Sequence, residues 1–495
     1  MPSLEPKPEP TTPETSTPDA STPESTGPSI VWLRDDLRLG DNPALQAALD
    51  RGRPIAIVYL LDEVSDGIRP LGSASKWWLH HSLSALGASI AARGGRLILR
   101  RGAAATELPS LVGELGASAV FWNRRYSEPA RAVDAALKAA LRERGLEVGS
   151  FHANLLNEPW TVKTGEGNPF RVFTPFWRAS QNRGTPRYPL PAPQRIESPP
   201  TATVCPSDTL ADWRLLPTRP NWAAGFTETW VPGEHAALRQ LDDFVTGGLN
   251  DYDRGRDEPA TGATSRLSPH LRFGEISPFQ IWHRVAQPDL SAAARANSAR
   301  FLSEIGWRDF NWNILFHFPR LAENNFRPEF DAFPWQQPDR AQLTAWQRGR
   351  TGIPLVDAGM RELWQTGFMH NRVRMVAASF LIKNLLVDWR IGEAWFWDCL
   401  VDADEASNPG NWQWVAGSGA DAAPYFRVFN PELQAVKFDA QRRYQRQYIP
   451  ELDSAEYPQP IVDLKASRVE ALEAYGFIKR GGGAPAGQGS RAFVT

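Results

Sequence analysis

The 495-residue sequence has little cysteine, no long apolar run and no pattern typical of export. Its two cysteines, Cys205 and Cys399, lie far apart, so they predict neither a disulfide framework nor a zinc site and fit a reducing compartment. No apolar run approaches the length of a membrane-spanning helix, and the first residues lack the basic-then-apolar pattern of a signal peptide. We therefore expect a cytoplasmic protein without a membrane segment or a metal site.

The sequence also lacks an excess of charge of either sign. It contains 54 Lys and Arg against 56 Asp and Glu, for a formal net charge of -2. The molecule as a whole therefore carries no electrostatic signal for nucleic acid or membranes, so that any site for an anion must be local. No G-x-G-x-x-G follows the first apolar run, and the dinucleotide fingerprint is thus absent there.

Tryptophan is what the sequence has in excess, with 20 residues against only 9 tyrosines. Burying an indole is costly unless the ring is packed and its N–H is paired. The count therefore indicates a large apolar interior, a stacking platform or a path for electrons. Packing in a core accounts for most of these residues.

The N-terminal part of the chain divides into a tail and an α/β region. Residues 1–28 are Pro, Ser, Thr and Glu with almost nothing apolar, which predicts a disordered tail. From residue 29 to about 160, apolar runs alternate with helical patterns, which predicts a doubly wound parallel sheet. The predicted strands begin at Ser29, Pro54, Arg96 and Ala119.

The rest of the chain is predicted to be a linker followed by helices. Residues 161–233 are rich in Pro and Gly and read as a linker that joins two domains. Residues 234–480 read as an all-α domain, and residues 481–495 as a frayed end. Between Met369 and Trp389 the apolar residues follow the i, i+3, i+4, i+7 spacing of one buried helix face.

Several polar residues cluster with indoles between Val401 and Trp414. Polar groups must be satisfied if they are buried, so two Asp, an Asn and two Trp are expensive for a plain core segment. The Pro409–Gly410 pair predicts a turn at the centre, where the polar groups converge on a ligand. The alternative is a surface loop that covers a buried Trp.

The segment from Thr264 to Pro278 contains two Ser-Pro pairs. Ser268 and Ser277 are each predicted to be an N-cap followed by a Pro in the first helical position. The exposed N–H groups of helix starts suit phosphate. Two ordinary capped helices are the alternative.

Two helix faces carry further candidates. Glu304, Trp307 and Arg308 have i, i+3, i+4 spacing, which suits a flat ligand that forms hydrogen bonds; a surface Glu–Arg pair beside a core Trp is the alternative. Asn371 and Met375 share a second face. We also expect Arg374 to pair with Asp402, because a buried Arg needs a carboxylate.

The motifs taken together resemble the photolyase/cryptochrome family. The resemblance runs from about Ser29 to Leu452 and rests on long motifs in the family's order. These are W-L-R-D-D-L-R-L-G-D-N-P-A-L (32–45), T-S-R-L-S-P (264–269), T-G-I-P-L-V-D-A-G-M-R-E-L (351–363), M-H-N-R-V-R-M-V-A-A-S-F-L-I-K-N-L-L (369–386) and W-Q-W (412–414). It implies an α/β antenna domain, a linker and a helical domain that binds FAD.

The resemblance implies roles for residues that the patterns alone leave open. FAD would be held by Tyr252, Thr264, Ser265, Arg266, Leu267, Ser268, Arg308, Arg374, Asp402, Asp404 and Asn408. Asn408 would face the ring nitrogen that gains or loses a proton. Electrons would reach the flavin through Trp412, Trp389 and Trp335. The antenna pigment would be methenyltetrahydrofolate, with a deazaflavin as the alternative.

The resemblance also implies a substrate. Family members that act on cyclobutane pyrimidine dimers carry a pocket that this sequence matches at Glu304, Trp307, Asn371, Met375 and Trp414. We therefore expect light-driven transfer of an electron from reduced FAD to a flipped dimer. Asn371 and Met375 stand where enzymes acting on the six-four photoproduct have His, which argues against that substrate. A cryptochrome photosensor without repair activity is the alternative.

The expected partner is UV-damaged DNA, and we expect a monomer associated with the nucleoid. Four cations match the backbone contacts of the family: Arg256, Arg372, Arg427 and Lys437. Such a local basic rim reconciles a near-neutral protein with duplex binding that weakens as salt rises. Asp309 and Phe368 depart from the family pattern, which has Glu and Trp at these positions.

Overall fold

The structure is a computed structural model that describes residues 26–200, 205–287, 289–422 and 426–480. The predicted tail, apart from its last three residues, and the predicted frayed C-terminus lie outside the described residues. The boundaries predicted for the linker stay predictions. The described part comprises an α/β region and a helical region, which confirms the predicted fold class.

The first region is built on a parallel sheet. Its strands are β1 (Ser29–Leu33), β2 (Ile55–Leu61), β3 (Leu97–Arg101), β4 (Ala119–Asn123) and β5 (Glu147–Phe151). They pair in the order β3-β2-β1-β4-β5, and every pair is parallel. The helices of this region are α1 (Pro43–Asp50), α2 (Ser73–Ala91), α3 (Ala104–Leu115) and α4 (Glu128–Glu143).

Both faces of the sheet are buried, which explains the unbroken apolar runs of its strands. Val31 and Ile57 pack into a core cluster on one face, whereas Ile30 and Val58 pack into a second cluster on the other. The sequence predicts four of the five strands. It misses β5 and α1. Strand β5 lies at the edge of the sheet and is only partly apolar, so it forms no continuous apolar run in the sequence.

Among the described residues, the helical region surrounds four further buried clusters. Its helices are α5 (Phe173–Gln181), α6 (Ala224–Thr229), α7 (Glu234–Thr246), α8 (Tyr252–Gly255), α9 (Ser268–Arg272), α10 (Pro278–Val285), α11 (Ala292–His317), α12 (Arg340–Gln347), α13 (Pro354–Thr366), α14 (Asn371–Ser379), α15 (Trp389–Cys399), α16 (Ser407–Ala416), α17 (Pro431–Phe438), α18 (Arg443–Tyr448) and α19 (Leu464–Lys479). Helices α5 and α6 lie within the segment predicted to be a linker.

The apolar face predicted between Met369 and Trp389 is buried, but it is not one helix. Helix α14 widens into a π-helical turn over Phe380–Asn384, and Leu386 then adopts a positive φ of 51°. A new helix begins at Trp389, where the side chain of Asp388 accepts a hydrogen bond from the backbone N–H of Arg390. The cap at Asp388 therefore stops the chain from continuing as a single helix.

The two regions meet where helix α2 begins. The backbone N–H and hydroxyl of Ser73 donate to Oδ1 of Asp398 at 2.8 and 2.7 Å. The indole N–H of Trp397 donates to the backbone oxygen of Pro70 at 3.0 Å. A Cβ at Gly72 would overlap the backbone of Trp397, so only glycine lets helices α2 and α15 approach this closely.

Candidate functional site

The predicted ion pair between Arg374 and Asp402 is present. The guanidinium of Arg374, on α14, donates to both carboxylate oxygens of Asp402 at 3.0 and 2.8 Å. The Asp402 side chain is only 3% exposed, so this bidentate pair neutralises a buried charge. The hydroxyl of Ser268 also donates to Asp402, at 2.6 Å. Residues predicted from three separate motifs therefore meet at one carboxylate.

Ser268 is not the N-cap that the sequence predicts. It occupies the first position of α9, which is five residues long, and its hydroxyl is turned to Asp402. A helix this short offers no anion site at its start. By contrast, Ser277 does cap α10, where it forms a reciprocal capping box with Gln280.

The segment before Ser268 is held by aromatic packing. Arg266 has a positive φ of 52°, and its guanidinium lies 4.3 Å from the ring centre of Trp230 and 5.3 Å from that of Phe368. Its Nε is buried without a hydrogen-bond partner. Thr264 and Ser265 are half-buried, whereas Leu267 and Tyr252 are buried. This segment therefore leaves an arginine donor free for a ligand.

The turn predicted at Pro409–Gly410 is wrong, because these residues lie inside helix α16. Proline is tolerated there because it falls in the first turn, where no N–H is needed. The convergence comes instead from the loop before the helix. Asp404 in that loop accepts from the backbone N–H groups of Ala406 and Ser407 at 2.8 and 2.5 Å.

The amide of Asn408 is fixed by a buried carboxylate. Its Nδ2 donates to Oε1 of Glu393 at 2.8 Å and to the Glu393 backbone oxygen at 3.1 Å. Glu393 is in turn held by Arg69, whose guanidinium donates to both carboxylate oxygens at 2.8 and 2.9 Å. The sequence predicts Asn408 but neither of the two residues that hold it.

The five residues predicted to form the dimer pocket lie on three helices. Glu304 and Trp307 are on α11, Asn371 and Met375 on α14, and Trp414 on α16. Helix α16 packs against both other helices. Trp307 and Trp414 line one small cavity of about 10 Å³.

Glu304 does not pair with Arg308, as a surface pair along the helix would require. It forms an ion pair with Arg256 instead, and its side chain is 30% exposed. Arg308 reaches the backbone oxygens of Asn154 and Leu271 at 2.5 and 3.3 Å. Arg308 also lines a cavity of about 110 Å³ together with Asp404, between the sheet region and the helices.

Trp307 has an aromatic partner that the sequence does not predict. The ring of Phe173, on α5, stacks on Trp307 with centroids 3.8 Å apart and an interplanar angle of 10°. The aromatic residues Phe170, Phe173 and Phe176 have a spacing of three in the sequence. That spacing, within the predicted linker, is typical of one helix face and could have indicated an aromatic helix that packs against another element.

On helix α14, the residues near the pocket are tied to the chain around Asp257. Arg372 donates to Asp257 at 2.7 Å and lies 3.9 Å from the sulfur of Met375. Asn371, in the first position of the helix, is exposed. Because Asp257 follows Arg256, the partner of Glu304, these contacts bring the Glu304 and Asn371 sides of the pocket together.

The four cations predicted to contact DNA lie beside aromatic rings. Arg372 and Lys437 both lie over Phe438, at 4.4 and 5.0 Å from its ring centre. Arg427 lies 4.6 Å from the ring centre of Phe429. Arg256 lies 5.4 Å from that of Tyr252 and is occupied by its ion pair, with only 13% of its side chain exposed.

The three predicted electron-transfer indoles belong to one core. Trp389 and Trp412 are buried in the same cluster, and Trp335 packs against that cluster. The N–H of Trp389 donates to Asn325 at 3.0 Å. A Cβ at Gly392 would overlap the ring of Trp412, so this glycine lets the ring lie against helix α15, one turn beyond Trp389.

Burial shifts the pKa of two further groups near the site. Burial raises the pKa of the Asp309 carboxyl to about 7, although a hydrogen bond from the Asn157 N–H opposes the shift. Burial lowers the pKa of the His370 imidazole to about 4. At neutral pH, Asp309 is therefore close to the midpoint of its titration, whereas His370 is mainly uncharged.

The described residues also bear on metals and membranes. In 26–200, 205–287, 289–422 and 426–480, no group of three His, Cys, Asp or Glu is arranged to hold a metal ion. No helix in these ranges is both long and apolar enough to cross a bilayer.

Two family models match this chain. The model described as DNA photolyase matches residues 29–194, and the model described as the FAD binding domain of DNA photolyase matches residues 301–456. The second match contains α14, α16 and the Arg374–Asp402 pair. The first contains the whole parallel sheet.

Known relatives match nearly the full length of the chain. A deoxyribodipyrimidine photo-lyase of Agrobacterium fabrum is 50% identical over 480 residues, which cover 92% of this chain and 98% of the relative. Cryptochrome-1 of Arabidopsis thaliana is 38% identical over 434 residues, which cover 86% of this chain and 63% of the relative.

A crystal structure of a bacterial class III photolyase from Agrobacterium tumefaciens has a TM-score of 0.87 to this structure, with 49% identity, and covers 93% of this chain and 99% of that chain. A flavoprotein that pairs an α/β domain with a helical FAD-binding domain is therefore the class to which the fold and the site point. The chain belongs to the DNA photolyase family.

Proposed function

We propose that this protein repairs cyclobutane pyrimidine dimers in DNA by light-dependent electron transfer, as a deoxyribodipyrimidine photolyase. The observation that carries the proposal is the convergence of α11, α14 and α16. These helices carry Glu304, Trp307, Asn371, Met375 and Trp414; α16 packs against the other two, and α14 also carries Arg374 of the Arg374–Asp402 pair. No cryptochrome-specific substitution interrupts this set, since Asn371, Asn408 and Trp414 are all retained.

The residues around Asp402 suit FAD. The bidentate Arg374–Asp402 pair offers a cation and an anion to the polar edge of a flat ring, and Asn408 has one carbonyl oxygen left to accept a hydrogen bond. The buried, unpartnered Nε of Arg266 supplies a donor for the charged part of a dinucleotide. When bound, FAD supplies the light-excited electron that the reaction needs.

Protein groups would select and hold the flipped dimer. Two indoles present flat apolar surfaces to the bases, which is favourable for any base that leaves the stack. The Phe173 ring supports the far face of Trp307, so the indole keeps its orientation when the pocket is empty. Glu304 and Asn371 would form hydrogen bonds to the base edges, and Arg256 fixes the carboxylate of Glu304.

The pocket also excludes water from the dimer. Trp414 is anchored by its N–H, which donates to the backbone oxygen of Asp421 at 3.2 Å. Its ring therefore stays at the pocket wall. In a dry pocket, the hydrogen bonds that Glu304 and Asn371 would form to the dimer are stronger than they would be in water.

The assay for this function uses dimer-containing duplex DNA, purified protein, a reductant and blue light. We expect loss of dimers with the wild-type protein, and a clear drop in yield with Glu304→Ala. The matched control is Glu323→Ala, which removes an exposed carboxylate of a local ion pair. No repair by wild-type protein that retains FAD would refute the assignment. In that case, equal affinity in the dark for damaged and intact DNA would instead support a photosensor.

A second pigment is also proposed, in a cavity of about 260 Å³ beside α5 and α10. Trp177 and Trp282 lie on its wall with ring centres 6.3 Å apart, which suits a flat aromatic ring. His152 Nε2 and Arg187 Nη2 are buried there without partners, and they offer donors to carboxylates. Methenyltetrahydrofolate combines such a ring with carboxylates, so we propose it as the antenna pigment.

Matched variants separate this cavity from the one between the regions. Trp282→Leu should abolish the near-ultraviolet absorbance that remains after the flavin spectrum is subtracted. Trp312→Leu alters the cavity between the regions, which a deazaflavin would occupy, and should leave that absorbance unchanged. The opposite pattern would place the pigment in the cavity between the regions and overturn the folate proposal.

A further inference from the structure

A chain of polar groups runs from the sheet region to the amide of Asn408. Arg69, in the segment between β2 and α2, binds both carboxylate oxygens of Glu393, and Glu393 accepts from Asn408. We propose that Arg69 is a positioning residue for the flavin. Acting through Glu393, it fixes the orientation in which Asn408 presents its carbonyl oxygen. The inference rests on the FAD site proposed above.

The orientation of the Asn408 amide follows from its partners. The carboxylate and the backbone oxygen of Glu393 can only accept, so the atom of Asn408 that faces them is Nδ2. Both of its hydrogens are used, on Oε1 at 2.8 Å and on the backbone oxygen at 3.1 Å. Only Oδ1 is left for a ligand, and Asn408 therefore acts there as an acceptor.

An acceptor at this position distinguishes the redox forms of a flavin. The reduced form carries a hydrogen on N5 that can be donated, whereas N5 of the oxidised form has only a lone pair. If N5 lies at Oδ1 of Asn408, as the family resemblance implies, this oxygen would stabilise the reduced form and repel the oxidised one. The amide orientation set by Glu393 thus favours the form that the proposed repair reaction requires.

Arg69 maintains this orientation because Glu393 is nearly out of contact with water. The Glu393 side chain is 4% exposed, and Arg69 is its ion-pair partner. Without that countercharge, the buried carboxylate would be favoured in its protonated form. A protonated carboxyl can donate to Oδ1 of Asn408, which would turn the amide around and present Nδ2 to the flavin.

Arg69 is itself placed by the helical region. Its guanidinium lies 3.9 Å from the ring centre of Trp397, on α15. The same indole donates to the backbone oxygen of Pro70 at 3.0 Å. Helix α15 therefore carries Glu393 and also the ring that orients its partner, so that docking of the sheet region completes the environment of Asn408.

The test measures the bound flavin in the dark and without DNA. Arg69→Met keeps a long side chain over Trp397 but removes the charge. We expect its reduced flavin to be reoxidised in air about tenfold faster, the size expected for losing a hydrogen bond that depends on a charged group. Its midpoint potential should fall. The flavin content per chain is measured in the same samples.

Arg361→Met is the matched control. Arg361 forms an equivalent bidentate pair with Glu451, at 3.0 and 2.6 Å, far along the chain from Asn408. We expect its flavin to behave as in the wild-type protein. Equal reoxidation rates in the Arg69→Met, Arg361→Met and wild-type proteins would overturn the proposal.

A double-mutant cycle shows whether Arg69 acts through Glu393. Combining Arg69→Met with Glu393→Gln should change the rate no more than the larger single substitution does, because both act on one link. Independent, multiplicative effects would contradict the proposed route. If Arg69→Met loses its flavin, Arg69→Lys carries the test, since it keeps the charge but not the two parallel bonds. It should accelerate reoxidation a few-fold, and an unchanged rate would overturn the proposal.

Failure of this inference and failure of the proposed function give different results. A wild-type protein that holds FAD but repairs no dimers would refute the repair function and leave the flavin measurements valid. A wild-type protein that repairs dimers, with an Arg69→Met variant of unchanged flavin properties, would refute only the role of Arg69.

Discussion

The joint beneath helix α2, formed by Trp78 and Glu275, and the pocket on helix α11 place tryptophan in different surroundings. At the joint, Trp78 is fully buried and its N–H donates to Glu275 at 3.1 Å. The other groups there are also satisfied, since Glu275 accepts from Gly233 at 2.8 Å and bonds His270. At the pocket, Trp307 is supported on one face by Phe173 and lines a cavity. The indole of Trp78 is fully buried with its N–H paired, and it stabilises the fold. The indole of Trp307 stacks on Phe173 and lines a cavity, a position that suits contact with a ligand.

The largest effect is expected from Trp78→Ala. Removing a fully buried indole leaves a cavity and removes one of the hydrogen bonds to Glu275, so the free energy of unfolding should fall by about 3–5 kcal/mol. Urea unfolding followed by circular dichroism measures this change. A loss below about 1 kcal/mol would show that the joint does not depend on the indole, and would remove the contrast with the pocket.

A smaller effect, on binding and not on folding, is expected from Trp307→Ala. Loss of one stacking surface should weaken affinity for a dimer-containing duplex by about 1–3 kcal/mol. The stability of the protein should change less than in Trp78→Ala, because Trp307 is only partly buried. Fluorescence anisotropy with damaged and intact duplexes measures the difference. An equal loss for both duplexes would mean that Trp307 contributes to the general DNA surface.

An effect that depends on pH is expected from Asp309→Asn, on the same helix as Trp307. With a pKa of about 7 in the folded protein and about 4 in the unfolded chain, Asp309 keeps a proton on folding between these values. The stability of the wild-type protein therefore falls as pH rises from about 4 to 7. The amide that replaces the carboxyl resembles the protonated acid and does not titrate.

Relative to wild type, the Asp309→Asn protein should therefore gain stability as pH rises, by roughly 3 kcal/mol between pH 5 and pH 8, because one pKa unit corresponds to about 1.4 kcal/mol. Thermal unfolding at pH 5 and pH 8 measures this difference. A gain that is the same at both values would show that Asp309 does not titrate in this window.

Sequence patterns predict the sheet well because a parallel strand is buried on both faces. All seven residues of β2 are buried, so its apolar run is unmistakable. Strand β5 pairs on one side only and contains Glu, Gly and Ser, so it gives no such run. The sequence also does not predict the break between α14 and α15 near Leu386, because the residues on both sides of Leu386 are apolar.

The site could be predicted only in part. The Arg374–Asp402 pair follows from a rule about buried charge and is present. The roles of Arg308, Ser268 and the other residues toward FAD stay predictions. The sequence does not predict roles for Phe173, Arg69 and Glu393, because their partners are remote along the chain. Arg69 and Glu393, for example, are separated by more than three hundred residues. Periodicity reports which residues share a face, but it carries no information about which faces meet.

The bare position at Gly392 has a consequence for how this protein can vary. The ring of Trp412 occupies the space that any side chain at residue 392 would fill. The short distance between this indole and helix α15 therefore depends on the absence of a Cβ at Gly392. Even a single methyl group would push the ring away from the turn that begins with Trp389. Because the rate of electron tunnelling falls steeply with separation, a mutation that leaves every aromatic residue in place would still slow the proposed route.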